Sequence, residues 1–571
     1  MSKKAIDPSR ILLDVPVDRR TLLERSLWAG GSLMASTLVG GLSTRWAFGA
    51  EASPVVETTA GKVRGVTIDG VQTFKGIHYG ESTAGAMRFL APKAAKPWTG
   101  VREANEYGPP APQDITARPP ADNSVQAAIT GSTTGAGHFL LGPGTMSEDC
   151  LVLNVWTPNL RPGIKKPVMF WLHGGGFSAG SDGRSWFDGT NLARKHDVVV
   201  VGINHRLNIF GYLYLAELGG AKYADSGNAG MLDTVLALQW VRDNVASFGG
   251  DPGNVTIFGQ SGGGAKVSLL MAMPSAKGLF HKAIVESGSA LRATPAATGT
   301  ATARRILDHM GLKENQVDRL QELPMDALLK AVREVSASGP LPLSPVVDGR
   351  VLPTNPFDPT APKISADIPM VIGTNYTETT FLIGSRDPST FSLNDASLRT
   401  RLKTLYKLGD PEVAALIKTY REDQPDASPS LLFFTITSDR QMRMNAITQA
   451  ERKLALGVAP AYMYYFKWET PVLGGRLHTP HDTEMLFVFD NVAKAPTFLG
   501  TGADLQPLAD KVSGAWTSFA RTGNPSQKSL PWPAYNISER PTMVFNDQCK
   551  IVNDPGKRER LELLKLASAA G

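Results

Sequence analysis

Residues 255–266 read Val255-Thr256-Ile257-Phe258-Gly259-Gln260-Ser261-Gly262-Gly263-Gly264-Ala265-Lys266. The β-branched run predicts a strand, the glycines predict a tight turn, and the residues from Ala265 onward predict a helix. Glycines suit such a turn because neighbouring backbone approaches closely, where a Cβ would collide. The helix N-terminus would then direct its free N–H groups and partial positive charge at Ser261. The pattern therefore predicts a nucleophilic serine at the apex of a strand–turn–helix unit.

The same Gly-x-Ser-x-Gly pattern occurs a second time, as Gly176-Phe177-Ser178-Ala179-Gly180. It follows an apolar run, Pro167–Leu172, but the residues after it, Ser181-Asp182-Gly183-Arg184-Ser185, are typical of a loop and not of a helix start. The motif carries meaning only between a strand and a helix. We therefore assign the nucleophile to Ser261 and not to Ser178.

The composition is that of a soluble globular protein, since 42% of the 571 residues are hydrophobic and 20% are charged. The net charge of +6 is small for this length, and no Lys/Arg cluster with interleaved aromatic residues occurs, so we expect no nucleic-acid binding. The two cysteines, Cys150 and Cys549, belong to no Cys/His cluster. This predicts two free thiols and no metal site. The sequence does not predict an oligomeric state.

Residues 1–52 have the features of an export signal. Arg19-Arg20 precedes a mildly apolar stretch at 27–42, and small residues follow, with a cleavage site expected near Gly49 to Ala52. The paired arginines indicate a twin-arginine signal, and the alternative is an uncleaved N-terminal arm. The apolar stretch is too short and too rich in Gly and Ser for a membrane span. We therefore expect a periplasmic or secreted protein with no stable membrane insertion after signal removal.

Residues 53–571 alternate between strand-like and helix-like segments without a clear linker, which predicts a single α/β domain. The predicted core strands are near-continuous apolar runs, as expected for strands covered on both faces. These strands are Leu151–Trp156, Pro167–Leu172, Val198–Asn204, Asn254–Phe258, Lys282–Glu286, Pro369–Gly373 and Ala461–Phe466.

Other segments are predicted from their turn residues and periodicity. Residues 55–79 are predicted to form a hairpin around Asp69-Gly70, and Leu232–Phe248 a helix that ends at Gly249-Gly250. Residues 114–147 lack periodicity and are predicted to be a long surface loop. Residues 296–340 and 385–455 are mostly helical by pattern, and we expect them to cap the sheet edge where the substrate enters.

A serine hydroxyl is a poor nucleophile unless a base takes its proton. Where the nucleophile lies on a strand–turn–helix unit of this kind, its partners follow in the order Ser, acid, His. Four of the nine histidines follow Ser261. His281 lies beside a predicted core strand, and His309 lies in a charged helix. The other two, His478 and His481, share one loop, and their spacing does not choose between them.

The acid of the triad is expected on a loop after a late core strand. Glu378 lies in such a loop, directly after the predicted strand 369–373. Asp348 is the alternative, but its Asp-Gly setting is more typical of a turn. The spacing therefore favours Glu378.

Besides a base and an acid, a serine nucleophile requires hydrogen-bond donors that stabilise the negative charge developing on the carbonyl oxygen of the substrate. His173-Gly174-Gly175-Gly176 directly follows a predicted core strand, and its glycines leave backbone N–H groups unobstructed. Each such hydrogen bond is worth roughly 3 kcal/mol. Three consecutive glycines also suit a flexible loop, but the downstream serine motif favours an oxyanion hole.

With these motifs in place, the chain resembles the type-B carboxylesterases, the family that includes cholinesterases and bacterial para-nitrobenzyl esterases. Residues 248–263 match the family's nucleophile signature, and Glu148–Val155 match its second signature. Further matches run from Gly76–Tyr79 to Gly523–Pro525. The resemblance implies the α/β-hydrolase fold, in which helices cover both faces of a large, mostly parallel sheet and helical insertions form a cap.

The resemblance also implies roles for individual residues. It makes Ser261 the nucleophile and Glu378 the acid. It makes His481 the base, because Glu484 and Phe487-Val488-Phe489 follow it as in the family. The backbone N–H groups of Gly175, Gly176 and Gly262 would form the oxyanion hole, and Phe177 would lie near the acyl side of the pocket.

Three positions depart from the family pattern. Gln260 stands where Glu is usual, which removes a negative charge beside the nucleophile and argues against a preference for cationic substrates. Ala111 stands where disulfide-bonded members carry the partner of the cysteine at position 150. Ser82-Thr83-Ala84-Gly85 replaces the usual Pro-Pro-Val-Gly.

The predicted function is hydrolysis of a small-molecule carboxylic ester to acid and alcohol through an acyl-enzyme, without a cofactor or metal ion. An amidase, thioesterase or transacylase would use the same residues, so these reactions stay open. A non-catalytic adhesion protein is the other alternative, but such relatives typically lack the nucleophile.

Overall fold

A thirteen-stranded sheet forms the centre of the computed structural model, which describes residues 51–114, 124–130, 141–161 and 163–569. The sheet order is β1-β2-β3-β5-β7-β6-β8-β9-β12-β13-β14-β15, with β4 paired to β2, and β10 and β11 form a separate pair. The strands are β1 Glu51–Glu57, β2 Lys62–Ile68, β3 Val71–His78, β4 Val101–Glu103, β5 Val152–Thr157, β6 Lys166–Leu172, β7 Val199–Ile203, β8 Gly250–Gln260, β9 Lys282–Glu286, β10 Thr294–Pro295, β11 Val346–Val347, β12 Met370–Asn375, β13 Ala461–Phe466, β14 Pro541–Phe545 and β15 Lys550–Asn553.

Seven consecutive strands of the sheet, β7-β6-β8-β9-β12-β13-β14, pair in parallel. The strands β1, β2, β3 and β5 add an antiparallel region on one side, and β15 adds one antiparallel strand on the other. Because the seven strands are parallel, their carboxyl ends lie along the same edge of the sheet. In such sheets this edge is where ligands bind.

The described helices are α1 Ser124–Thr130, α2 Thr190–His196, α3 Asn208–Tyr212, α4 Ala216–Gly219, α5 Ala229–Asn244, α6 Gly262–Leu270, α7 Ala296–His309, α8 Met325–Ala337, α9 Thr379–Leu382, α10 Asp395–Tyr406, α11 Asp410–Asp423, α12 Pro429–Ser438, α13 Met444–Leu454, α14 Thr483–Val488, α15 Pro496–Leu499, α16 Leu505–Thr522 and α17 Lys557–Ala569. A π-helical turn at Asp439–Arg443 joins α12 to α13. Within the described part of the chain, no helix has the length and apolarity needed to cross a bilayer.

Side chains alternate between two cores along each central strand. In β6, Val168 and Phe170 belong to one core, whereas Met169 and Trp171 belong to the other. Helices α5, α6 and α13 contribute to the first core, and α2 and α16 contribute to the second. Both faces of the sheet are therefore covered, as the unbroken apolar runs predict.

The structure confirms the seven core strands predicted from the sequence, each to within a few residues. The hairpin around Asp69-Gly70 is also confirmed, because Ile68 pairs with Val71. The helix predicted to end at Gly249 continues as a 3-10 turn to Phe248 and stops at Gly249, where φ is 79°. Gly250 begins β8 and does not belong to the helix end.

The prediction that residues 114–147 form a loop throughout was wrong. Residues Ser124–Thr130 form α1, and the side chains of Val125 and Ile129 are buried. This helix packs near α15, so tertiary contact stabilises a segment that has weak helical periodicity of its own. Most of the remaining loop, and the export signal up to residue 50, lie outside the described residues.

Candidate active site

Ser261 lies at the turn between β8 and α6, as the sequence predicts. Its φ of 57° and ψ of −122° are strained for a residue with a side chain, at a cost of about 1–3 kcal/mol. Two backbone hydrogen bonds hold this conformation: the Ser261 N–H donates to the Glu286 carbonyl at 2.8 Å, and the Ser261 carbonyl accepts from Ala265 N at 3.0 Å. The Ser261 hydroxyl does not cap α6. The strained turn therefore presents a partly exposed hydroxyl.

The glycines after Ser261 allow close backbone contact with the end of β6. A Cβ on Gly263 would lie 1.9 Å from the Leu172 carbonyl oxygen, and one on Gly262 would lie 2.2 Å from the Gly176 carbonyl oxygen. Both contacts are far shorter than a Cβ tolerates. Because Gly262 has no side chain, its backbone packs directly against that of Gly176. Two of the predicted oxyanion-hole residues therefore lie next to each other.

The oxyanion loop, residues His173–Gly176, has all four of its carbonyl groups hydrogen-bonded. The Gly174 carbonyl accepts from His173 Nδ1 at 2.8 Å, and the Gly175 carbonyl accepts from Ala179 N at 3.1 Å. The carbonyls of His173 and Gly176 accept from Lys266 Nζ at 3.1 and 3.0 Å. Among the described residues, the N–H groups of Gly175 and Gly176 have no protein acceptor. The loop therefore offers donors whose orientation is fixed by its carbonyls.

His481 and Glu378 lie side by side although 103 positions separate them in the chain. The Nδ1 of His481 donates to Glu378 Oε2 at 2.5 Å, and both side chains are buried. Glu378 follows β12 and precedes α9, whereas His481 follows β13 and precedes α14. Since β12 and β13 are parallel neighbours, their following loops meet at the same sheet edge.

Two threonines tie these loops together. The Thr377 N–H donates to the Thr479 carbonyl at 3.1 Å, and the Thr479 N–H donates to Thr377 Oγ1 at 2.9 Å. The pairing fixes the distance between the backbones that carry Glu378 and His481. The acid and the imidazole are therefore held by both a direct hydrogen bond and their supporting backbone.

A polar group beneath Glu378 fixes its second oxygen. Glu378 Oε1 accepts from Ser287 Oγ at 2.5 Å and from Asn375 N at 2.7 Å. Ser287 Oγ also lies 3.3 Å from Glu484 Oε1, and the Asn375 amide donates to Glu484. Both Glu378 oxygens are thus occupied, so the carboxylate has one orientation.

The charges around His481 follow from burial and neighbouring carboxyls. Burial lowers the pKa of His481, but the Glu378 carboxylate outweighs it and raises the pKa above its ordinary value. Burial raises the pKa of Glu484, helped by Glu378 and Glu286. Burial also raises the pKa of Glu286 to about 8, although the Trp516 indole N–H at 2.5 Å opposes this. Burial therefore opposes the ionisation of both Glu286 and Glu484, which lie close to the His481–Glu378 pair.

The Nε2 of His481 contacts Gln260. The Gln260 amide nitrogen lies 3.2 Å from Nε2 and 3.4 Å from Nδ1 of the His481 ring, so it contacts the face of the imidazole and not the in-plane lone pair of Nε2. Within the described residues, no hydrogen bond joins Ser261 Oγ to His481. Hydrogen bonds between a nucleophile and its base are often long in a free enzyme and tighten when substrate binds.

The structure separates the alternative candidates from this group. Ser178 is exposed in a turn that no helix follows. His478 Nδ1 donates to Glu469 Oε2 at 3.0 Å near the surface. Asp348 accepts from Arg350 N and Leu352 N at 2.9 and 3.0 Å, which is the predicted turn role. None of the three contacts Ser261, His481 or Glu378.

Aromatic rings border the site. Phe177 packs edge-on against Tyr212, with ring centroids 5.3 Å apart. Phe381 lies nearly parallel to the His481 ring, with centroids 6.4 Å apart. The oxyanion loop and the imidazole thus each have an apolar neighbour, which suits an uncharged acyl group.

Cys150 and Cys549 are both free thiols, as the sequence predicts. Cys150 is buried, and burial raises the pKa of its thiol. No group of three or more His, Cys, Asp or Glu in the described residues is arranged to hold a metal ion.

Sequence reasoning missed several supporting residues. Ser287 was not identified. It directly follows β9, at the same edge of the sheet as the other site residues, and that position would have indicated a role in the site. Lys266 was read only as part of a helix. Its position five residues after the nucleophile gives no indication that it reaches back to the oxyanion loop.

Comparison with known proteins gives a consistent result. The carboxylesterase family model matches residues 52–564. The para-nitrobenzyl esterase of Bacillus subtilis (strain 168) is 35% identical over 524 residues, which covers 89% of this chain and 98% of that protein. The phenmedipham hydrolase of Pseudarthrobacter oxydans is 31% identical, with 87% and 95% covered. The crystal structure of a Geobacillus stearothermophilus carboxylesterase superposes with a TM-score of 0.75 at 37% identity, with 89% and 99% covered.

Proposed function

From the premise that this chain belongs to the carboxylesterase family and is a carboxylic ester hydrolase of the α/β-hydrolase fold, we propose that Ser261, His481 and Glu378 carry out the hydrolysis. The hydrogen bond of 2.5 Å between His481 and Glu378, at the sheet edge that also bears Ser261, is the observation that carries the proposal. The family and the esterase activity do not depend on this assignment, but the roles of the residues do.

The reaction proceeds in two steps. Ser261 Oγ attacks the ester carbonyl carbon while His481 Nε2 takes the hydroxyl proton, and the Glu378 carboxylate stabilises the imidazolium that forms. The tetrahedral intermediate collapses, the alkoxide leaves with the proton from Nε2, and an acyl-enzyme ester remains on Ser261. A water molecule then attacks this ester in the same way and releases the acid.

The N–H groups of Gly175, Gly176 and Gly262 are proposed to bind the oxyanion of both intermediates. Two observations support this assignment: Gly262 lies directly against Gly176, and the carbonyls of the oxyanion loop are all engaged elsewhere. Phe177, next in the chain, is proposed to border the acyl group. The cost of losing one such donor is typically 10²–10³ in kcat.

Substrate binding is proposed to complete the hydrogen bond between Ser261 Oγ and His481 Nε2. Hydrogen bonds between a nucleophile and its base are often long in a free enzyme and tighten in the complex with substrate.

Two further proposals concern the whole chain. Residues 1–52 are proposed to be a twin-arginine export signal, cleaved near Gly49 to Ala52, which would make the mature protein periplasmic or secreted. Residues 53–571 are proposed to form one catalytic domain. The family match over residues 52–564 supports the second proposal.

Covalent labelling tests the nucleophile. The protein is treated with a phosphonofluoridate, and mass spectrometry of its peptides is combined with rates on para-nitrophenyl acetate. We expect one phosphonyl adduct, on the peptide that contains Ser261, and loss of turnover in proportion to labelling. The variant Ser261→Ala should lose about 10⁴-fold or more in kcat, whereas the matched control Ser178→Ala should keep the rate. Labelling at Ser178 with an unlabelled Ser261 would refute the assignment.

The bond that is cleaved fastest is tested separately. Matched ester, thioester and amide substrates with the same acyl group distinguish an esterase from a thioesterase or an amidase. Because amines are poorer leaving groups than alkoxides, we expect the ester to exceed the amide by orders of magnitude. An amide rate equal to the ester rate would assign the natural reaction to amide hydrolysis.

A further inference from the structure

Lys266 lies in the second turn of α6, on the side of that helix that faces the oxyanion loop. Its side chain is fully buried. The ammonium donates to the carbonyls of His173 and Gly176 at 3.1 and 3.0 Å, the first and last residues of the loop. It also lies 5.5 Å from the Phe177 ring centroid. One amino group therefore contacts both ends of the segment that supplies the oxyanion donors.

The surroundings of Lys266 are unusual for a buried cation. Within the described residues, no carboxylate lies at ion-pair distance from its Nζ. Burial lowers the pKa of Lys266 to about 7. The nearest titratable neighbours, His173 and His205, are stacked with centroids 4.9 Å apart, and burial and Lys266 lower the pKa of each. Burying an unpaired ammonium costs several kcal/mol, so stability alone gives no reason for a lysine here.

We propose that Lys266 is a positioning residue that fixes the oxyanion loop from behind and so sets the rate of ester hydrolysis. This inference rests on the proposed function, because it takes Gly175 and Gly176 as oxyanion donors.

The geometry explains how a lysine has this effect. A peptide unit is planar, so the His173 and Gly176 carbonyls that Lys266 holds fix the units that carry the Gly174 and Phe177 N–H groups, one on each side of the two donors. The donor units themselves are held through the Gly174 and Gly175 carbonyls, by His173 Nδ1 and Ala179 N. With the flanking units anchored as well, the Gly175 and Gly176 N–H groups keep one direction without a hydrogen bond of their own. Gly262 allows the Gly176 carbonyl to come close enough to α6 for Lys266 to reach it. A loop without this anchor would sample orientations in which one or both donors miss the oxyanion.

The chain contains a matched control, Lys453 in α13. Its Nζ donates to the carbonyls of Ser365 and Ala366 at 2.7 and 2.8 Å. Its side chain is also buried, and burial lowers its pKa to about 8. Lys453 therefore has the same structural role, two backbone carbonyls bound by a buried lysine, but at a position that contacts none of the proposed catalytic residues.

The test compares Lys266→Met with Lys453→Met in the full chain. Methionine retains most of the side-chain volume but has no donor. We measure kcat and KM on para-nitrophenyl acetate, the Ki of a trifluoromethyl ketone, which forms a tetrahedral adduct, and the melting temperature. For Lys266→Met we expect kcat to fall at least tenfold, KM to change less than threefold, and the ketone Ki to rise with the loss in kcat/KM. For Lys453→Met we expect kcat, KM and Ki to stay within twofold even if the melting temperature falls.

The outcomes separate this inference from the proposed function. If the phosphonofluoridate labels Ser261 and both lysine variants keep the unsubstituted kcat and Ki, the role of Lys266 is wrong and the proposed function stands. If Ser261 is not labelled in the unsubstituted enzyme, the proposed function fails first. If Lys266→Met does not fold, Lys266→Leu, which also lacks a donor, is measured in the same way. A kcat and Ki equal to those of the unsubstituted enzyme in that variant would refute the positioning role.

Discussion

At the scale of single residues, the site depends on a carboxylate with no freedom to turn. Glu378 accepts hydrogen bonds from His481, Ser287 and Asn375, which together occupy both of its oxygens. It therefore holds the imidazole as the tautomer with the proton on Nδ1, leaving Nε2 as the base. Burial raises the pKa of the nearby Glu286 and Glu484 carboxyls, which weakens their competition with Glu378 for the imidazolium.

The pH dependence of Glu378→Gln follows from this electrostatic pair. The Glu378 carboxylate raises the pKa of His481, and only the neutral imidazole is a base. Activity therefore rises with pH as His481 loses its proton. Removing the carboxylate leaves burial, which lowers the pKa of His481, opposed by the smaller effects of Asp482 and Glu484, so the acidic limb of kcat/KM should move to lower pH. The maximal kcat should fall by about 10⁴, as for other triads that lose their acid.

The measurement is a pH–rate profile of kcat/KM on para-nitrophenyl acetate for both enzymes. His478→Gln is the matched control, since His478 lies three positions away and pairs with Glu469 at the surface. Its profile should coincide with that of the unsubstituted enzyme. An acidic limb that stays in place in Glu378→Gln, or that moves in His478→Gln, would contradict the assignment of the base.

At the scale of secondary-structure elements, the site is built where parallel strands end. The oxyanion loop follows β6, Ser261 follows β8, Glu378 follows β12 and His481 follows β13. The sheet order β6-β8-β9-β12-β13 puts the nucleophile beside the oxyanion loop and the acid beside the base. The turn after β8 brings α6 against the end of β6 only because its glycines lack side chains.

Gly263→Ala tests this packing of elements. The added Cβ would lie 1.9 Å from the Leu172 carbonyl oxygen, a backbone atom that moves only with β6. We expect the free energy of unfolding to fall by about 3 kcal/mol and kcat to fall as the oxyanion loop shifts. Gly253→Ala, in the preceding strand β8, is the control, because its Cβ would meet only the flexible Asp251 carboxylate at 3.3 Å.

Urea denaturation gives the two unfolding free energies, and para-nitrophenyl acetate gives the rates. The control should stay within about 1 kcal/mol of the unsubstituted protein and keep its kcat. Equal stability of the two variants would mean that β6 and α6 are not packed as closely as the structure has them.

At the scale of the whole molecule, one sheet with two covered faces carries the site. The family match spans residues 52–564, which is nearly the whole of the described region. The predicted export signal precedes this region and contributes none of the residues that the mechanism uses. Export and catalysis should therefore be separable.

Exchanging Arg19 and Arg20 for lysine tests the localisation proposal. Twin-arginine signals are recognised through the arginine pair, so the variant should remain in the cytoplasm while the parent chain is exported. The specific activity of the purified variant should equal that of the parent. Cell fractionation with an activity assay measures both. Export of the Lys-Lys variant at the parent's level would refute a twin-arginine signal and leave the catalytic proposals untouched.

The amino-acid sequence determined the features that depend on neighbours in the chain. The β-branched run and glycines at 255–264 specified a strand, a turn and a helix, and the apolar runs specified seven core strands, because local conformation follows from side-chain shape and periodicity. Chain order restricted the base to four histidines and their local settings to His478 or His481, but the two stayed open without the family resemblance.

The tertiary structure decided what depends on contact between distant segments. It paired Glu378 with His481 and left His478 at the surface, brought Ser287 under the acid, and set Lys266 behind the oxyanion loop. It also folded Ser124–Thr130 into a helix where the local pattern predicts a loop. The reason is the same in each instance: the order of parallel strands sets which loops meet, and no local sequence pattern records that order.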